Sequence, residues 1–176
     1  AILAAIIYFV AHALYKAGLF LVSGIIDHET GTRDITALGG LRDPLAITFI
    51  IGILSAASMI GLPPLLGFFA KEEMYLATAI GDFWPAALVV GTLMVGNALL
   101  VAAALAVVLR PFMGPRLLAP KDPHEAPFAM LAGPAVFGIL AVITGFATAW
   151  FSEMILGPAA TAIADTAVEA HLKFGI

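Results

Sequence analysis

"LAITFIIGILSAASMIGLPPLLGFFAKEEMYLATAI", residues 45 to 80, is apolar almost throughout yet too long for its own pattern. A helix rises 1.5 Å per residue, so an unbroken one over this stretch would far exceed the roughly 30 Å hydrocarbon core of a bilayer. The segment also carries Pro63 and Pro64, flanked by Gly61 and Gly67. Two adjacent prolines remove two backbone donors and disfavour helix just before them. The stretch therefore reads as one helix, a break near residues 62–67, and a second half-helix that carries Lys71, Glu72 and Glu73.

The rest of the chain fits a membrane setting. It is 62% hydrophobic and 11% charged, with a mean hydropathy of +1.07, whereas soluble domains run at about 25% charged. Further apolar runs occupy about residues 2–26, 84–109 and 128–151. The expected fold is an all-α membrane protein of four transmembrane helices, one of them Pro-broken, organised as a bundle over residues 1–151. From Leu156 the pattern changes. Thr161, Asp165, Glu169 and Lys173 recur at four-residue spacing opposite Ile163, Ala167, Val168 and Leu172. Residues 152–176 thus read as an external segment lying along the interface, or equally as the lead-in to a further span. The start in mid-span, "AILAAIIYFV", suggests a piece of a longer polypeptide.

Orientation follows from Lys and Arg. The polar loops 27–44 and 110–127 are separated by two crossings and share one side. They hold Arg33, Arg42, Arg110, Arg116 and Lys121, against Lys173 alone on the other side. That bias places both loops in the cytoplasm and brings Trp84 and Trp150 to the outer interface. The charged residues sit mostly in loops, so the net charge of −4 says little about function. With no cysteine, disulfides, thiolate nucleophiles and Cys-ligated metals are excluded. The scattered cations form no nucleic-acid-binding patch. Phosphate-binding loops, Ser–His–Asp sets and paired catalytic carboxylates are absent, and no enzymatic activity or metal site is expected. Asp27, His28 and Glu29 are adjacent, so on a helix they point apart; they read as helix-end charge in water.

Ionisable groups at membrane depth are the informative ones. A charge at the bilayer centre costs from about 3 kcal/mol on insertion scales to over 10 in simulations, so it persists where it faces protein or water. His12 and Lys16 lie near the middle of the first span, one turn apart and on one face. They form no ion pair, and burial and mutual repulsion both disfavour charging the two together. Adjacent stations on a proton wire are one reading; hydrogen bonding to neighbouring helices for assembly is the other. Lys71, just after the Pro-Pro break, is a second station, since broken helices are tolerated where they line a cavity or meet protein. Glu72 or Glu73 could hold its charged form; alternatively one neutralises it while the other caps a half-helix. Asn97, among small residues, reads first as a helix–helix hydrogen bond.

"HALYKAGLFLVSG" (12–24) followed by "GLPPLLGFFAKEE" (61–73) resembles the antiporter-like membrane subunits shared by respiratory complex I and the multisubunit Mrp cation/proton antiporters. "GIIDHETGTRDITALGGL" (24–41) is more similar to the large A subunits of the Mrp type. The resemblance implies that this is the later part of a bundle of about fourteen helices. It implies that His12 and Lys16 belong to a proton relay, that Lys71 is its terminal lysine, and that Glu72 is the acidic residue after it. It further implies a multi-pass subunit of the inner (plasma) membrane that exchanges Na+ or K+ for protons beside other membrane subunits of a hetero-oligomeric complex, with no cofactor. A proton-translocating subunit of complex I and a non-transporting helical scaffold are the alternatives.

Overall fold

A computed structural model describes residues 2–80 and 86–164. Among these the chain is helical with no strand. In order, α1 spans Ile2–Thr30, α2 Ala46–Ile60, α3 Leu66–Ile80, α4 Ala86–Phe112, α5 Phe128–Phe146, α6 Thr148–Phe151 and α7 Gly157–Ala164. A 3₁₀ turn at Ile35–Ala37 precedes α2, and a π turn at Ser152–Leu156 joins α6 to α7. Three helices (α1, α4 and α5) are long and apolar enough to cross a membrane; α2 is a shorter apolar helix. Trp84, Asp165, Glu169 and Lys173 lie outside the described residues.

α1 is the central post. Its buried positions Ala4, Ile7, Ala11, Tyr15, Gly18, Val22 and Ile25 recur every three or four residues and form one stripe. That stripe packs against α2, α3 and α5. Between apolar helices in lipid there is little hydrophobic drive to associate, so close packing at small residues carries the contact. Gly18 of α1 meets the hydroxyl of Ser55 on α2. Gly52 of α2 faces Val22 of α1 and Val108 of α4, where an added Cβ would lie 3.5 and 3.6 Å from their methyls. Gly67 of α3 sits against the Ser58 carbonyl, and Gly145 of α5 against the Pro64 carbonyl. α4 is held mainly near its end: Ala104, Val108, Pro111 and Phe112 are its buried residues.

Helix bounds differ from the sequence reading at several ends; α4, for one, runs on to Phe112, past residue 109. α1 continues past Ile26 to Thr30, because the Thr30 hydroxyl bonds the Ile26 carbonyl (2.6 Å) and Gly31, at φ 72°, makes the stop. α5 stops at Phe146, short of residue 151. The Thr144 hydroxyl bonds back to the Leu140 carbonyl at 2.6 Å, a contact that bends helices. Beyond it, Leu156 and Ala160 are buried against the bundle.

The two long loops interlock. Gly40, Leu41 and Arg42 donate backbone hydrogen bonds to Met113, Pro111 and Phe112, and Leu117 donates to Gly39. Lys121 donates through its backbone to Thr30 (3.0 Å) and through Nζ to the His28 carbonyl (3.0 Å). Both loops therefore sit at the same end of the bundle. Glu125 reaches from the second loop to the start of α2, accepting from the Ile47 backbone N–H and the Thr48 hydroxyl, each at 2.6 Å. A carboxylate on the bare N–H groups of a helix start is both a cap and a dipole partner.

Candidate functional site

The turn after α2 places the deepest lysine. Gly61 adopts the left-handed conformation (φ 88°) and donates to the Ala57 and Ser58 carbonyls; Leu62 donates to Ala57 (3.0 Å). This is the Schellman arrangement that closes a helix and reverses the chain. α3 then starts at Leu66, and one turn along it Lys71 points back. Its ammonium donates to the carbonyl of Ile60, the last residue of α2, at 2.8 Å. Lys71 is only 9% exposed. A cation at a helix C-terminus meets the negative end of the macrodipole, so the end of α2 supplies Lys71 with a counterpart that carries no formal charge. Glu72 is exposed and Glu73 half-buried. Among the described residues, neither carboxylate forms an ion pair with Lys71.

His12 and Lys16 lie half-buried on α1. His12 Nδ1 is 2.9 Å from the Tyr15 hydroxyl, and the two rings meet edge to face with centroids 5.1 Å apart. Tyr8 stands on the other side, its ring centroid 6.0 Å from that of His12. Tyr15 is 2% exposed, so His12 is anchored to the core through it. Lys16 lines a cavity of about 130 Å³ with Ser23, Met59, Ala104 and Val107. Asn97 of α4 donates to the Tyr75 hydroxyl of α3 and ties these helices together. The hydroxyls of Ser55 and Ser58, at the α1–α2 and α2–α3 crossings, are buried with no hydrogen-bond partner among the described residues.

Four features at the loop end were not read from the sequence. Glu29 is buried, not solvated: its two carboxylate oxygens lie 2.9 Å from His28 Nδ1 and 3.3 Å from His124 Nδ1. The His124 loop folds over it, so the Asp27–Glu29 stretch is not simply helix-end charge in water. Asp27 pairs with Arg33 at 2.8 Å and holds that guanidinium protonated beyond its ordinary range. Asp34 accepts from the Thr36 hydroxyl and backbone N–H, which pulls its carboxyl below the usual range. Glu125, at the start of α2, had no local signal at all. No group of three or more metal-ligating side chains occurs among the described residues.

This arrangement can hold cationic and titratable groups inside an apolar bundle beside the turn between α2 and α3, and it has known relatives. Residues 1–108 match the family model for the NADH:quinone oxidoreductase/Mrp antiporter transmembrane region. The chain is similar to the A1 subunit of the Na(+)/H(+) antiporter of Staphylococcus haemolyticus, with 33% identity over 98% of this chain and 23% of that protein. It is similar to the A subunit of the Na(+)/H(+) antiporter of Alkalihalophilus pseudofirmus, with 36% identity over 94% of this chain and 22% of that protein. Among solved structures it matches the Mrp complex of a Dietzia species, with a TM-score of 0.70 and 32% identity over 97% of this chain and 18% of that one. The chain thus spans less than a quarter of the length of these relatives. It belongs to the NADH:quinone oxidoreductase/Mrp antiporter transmembrane family.

Proposed function

We propose that this chain is a proton-carrying part of a monovalent cation/proton antiporter subunit. His12, Lys16 and Lys71 relay protons, with Glu72 beside the last, in exchange for Na+ or K+. The subunit works beside other membrane subunits in the plasma membrane. α2 and α3, of 15 residues each, make one interrupted crossing, so that residues 1–151 cross four times. Loops 27–44 and 110–127 face the cytoplasm, and residues 152–176 form the external segment.

The observation that carries this reading is the environment of Lys71. A buried ammonium is costly, and a fixed carboxylate beside it would trap the proton. Here its hydrogen-bond partner is a backbone carbonyl at a helix end, 2.8 Å away. A carbonyl accepts from an ammonium and from a neutral amine alike, so Lys71 keeps its place through a cycle of charge. Coupled titration of neighbouring sites then moves the proton along. The relatives named as Na(+)/H(+) antiporter subunits favour a cation-exchange role over quinone-linked pumping.

The test is transport in everted vesicles carrying the full complex, read as dye-reported proton movement on adding Na+ or K+. Lys71→Ala should assemble normally and lose transport. Lys16→Arg should do the same, because a guanidinium stays protonated and stalls a relay. An assembled Lys71→Ala complex that transports at the wild-type rate would overturn the relay and leave the scaffold reading in its place.

A further inference from the structure

α1 and α5 leave between them a surface groove of about 760 Å³. Its lining runs along α1 from Leu21 to Gly31 and along α5 from Ala129 to Pro134. From Leu21 to Thr30 a helix rises about 14 Å, close to the half of the ~30 Å hydrocarbon core that one leaflet supplies. Glycines make the room. A Cβ at Gly24 would meet nothing within 4 Å, and one at Gly133 would meet only the Leu21 side chain, at 3.2 Å. Leu21, Ile25, Met130 and Pro134 form apolar walls, and Asp27, His28 and Lys121 stand at the mouth beside the loops. Leu21 and Gly24 are exposed, so the groove is open along its side to whatever surrounds the bundle.

We infer that this groove binds one anionic glycerophospholipid, with an acyl chain laid along Gly24 and Gly133 and the phosphate on the Lys121 ammonium. Lys121 is a cation held in place. Its backbone N–H donates to the Thr30 carbonyl and its Nζ to the His28 carbonyl, each at 3.0 Å. Its stem lies across Gly31, where an added Cβ would be 3.2 Å from Lys121 Cγ. An ammonium has three N–H donors, and the His28 carbonyl takes one. The carboxylates of this end are engaged elsewhere: Asp27 with Arg33, Glu29 with His28 and His124, and Asp122 with Arg116. Among the described residues none pairs with Lys121. A positioned, unpaired ammonium at the rim of an apolar groove suits a phosphate, and basic pockets between transmembrane helices take anionic headgroups. Lipid tails are as apolar as the groove walls, so the headgroup charge selects the occupant while the groove fixes where it lies. The site lies apart from His12, Lys16 and Lys71 and does not depend on the relay.

The test uses the full complex in nanodiscs that contain a phosphatidylglycerol with a diazirine on its acyl chain. After illumination, labelled peptides are mapped by mass spectrometry. Peptides from residues 21–31 and 129–134 should carry label. Excess unlabelled phosphatidylglycerol should suppress that label several-fold more than the same excess of phosphatidylcholine. Lys121→Gln should reduce the label several-fold, and Lys121→Arg, which keeps the charge, should retain it. Gly24→Leu, whose Cβ enters open space, should fill the groove and remove label from residues 129–134 even in the presence of Lys121. A wild-type complex labelled elsewhere but not on these peptides would overturn the site, because another segment of the full-length subunit or a neighbouring subunit would then cover the groove. Label displaced equally by phosphatidylcholine, or unchanged in Lys121→Gln, would also overturn it, leaving only the unselective lipid that surrounds any bundle. The readout is labelling, so it stands or falls separately from transport in Lys71→Ala.

Discussion

Gly61→Ala strikes the point where helix end and lysine meet. Gly61 holds φ at 88°, and an L-residue there pays about 1–2 kcal/mol for the left-handed backbone. The new Cβ would lie 2.9 Å from Lys71 Cδ and 3.6 Å from Cε. That is too close for two carbons, so the lysine stem must swing aside. If the swing breaks the 2.8 Å bond to the Ile60 carbonyl, a charge-assisted hydrogen bond worth about 1.5–3 kcal/mol goes with it. The expected total is about 2.5–5 kcal/mol. The assay is the half-life of the purified complex at elevated temperature, beside dye-reported transport in vesicles. Gly61→Asn separates the two costs. Asn tolerates the left-handed region far better than other residues, so it should recover most of the stability while still pushing on Lys71. Transport should therefore stay impaired in Gly61→Asn. Wild-type half-life and wild-type transport in Gly61→Ala would refute both the strain and the placement of Lys71.

Glu125→Ala should strip the first turn of α2 of its acceptor and leave the buried Thr48 hydroxyl bare, at about 1–3 kcal/mol; faster hydrogen exchange at the Ile47 amide checks it, and unchanged protection would refute the cap. Tyr15→Phe should leave assembly intact, lower transport several-fold and move its pH optimum, since His12 Nδ1 loses a hydroxyl that both donates and accepts; an unaltered pH profile would show that Tyr15 only fills space. Asp34, held by Thr36, has a depressed carboxyl, so its contribution is present above the unfolded value of about 3.9 and lost as pH falls through the lower folded one. Asp34→Asn should therefore loosen the Thr36 amide at pH 7, and hydrogen exchange equal to wild type at that pH would refute the turn.

What was legible in the chain was what helix periodicity and charge in oil can report. His12, Lys16 and Lys71 stand out because the runs that hold them are otherwise largely apolar, whereas the bond between His12 and Tyr15 was not read from the sequence. The acceptor for Lys71 is another matter. That it is the Ile60 carbonyl depends on the path of five residues through a left-handed turn, which no side-chain pattern encodes. Glu29 illustrates the same limit from the other direction. A "DHE" at a helix end looks solvated until a loop more than ninety residues later folds His124 onto it. Glu125 and the start of α2 are 78 residues apart in sequence, so their bond leaves no local trace. Helix ends moved for related reasons: Thr30 bonds back along α1 before Gly31 stops it, and Thr144 bonds back along α5 near its end, and neither effect is visible in hydropathy.

The bond from Lys71 to the tip of α2 makes one carbonyl answer to two masters. On the relay reading, each proton gained or lost by that side chain changes how firmly the tip is gripped, and reciprocity requires the converse: whatever tugs the tip alters the grip on the proton. A distant event that shifts α2 by a fraction of an ångström would then register at the lysine as chemistry, with no messenger other than the chain itself.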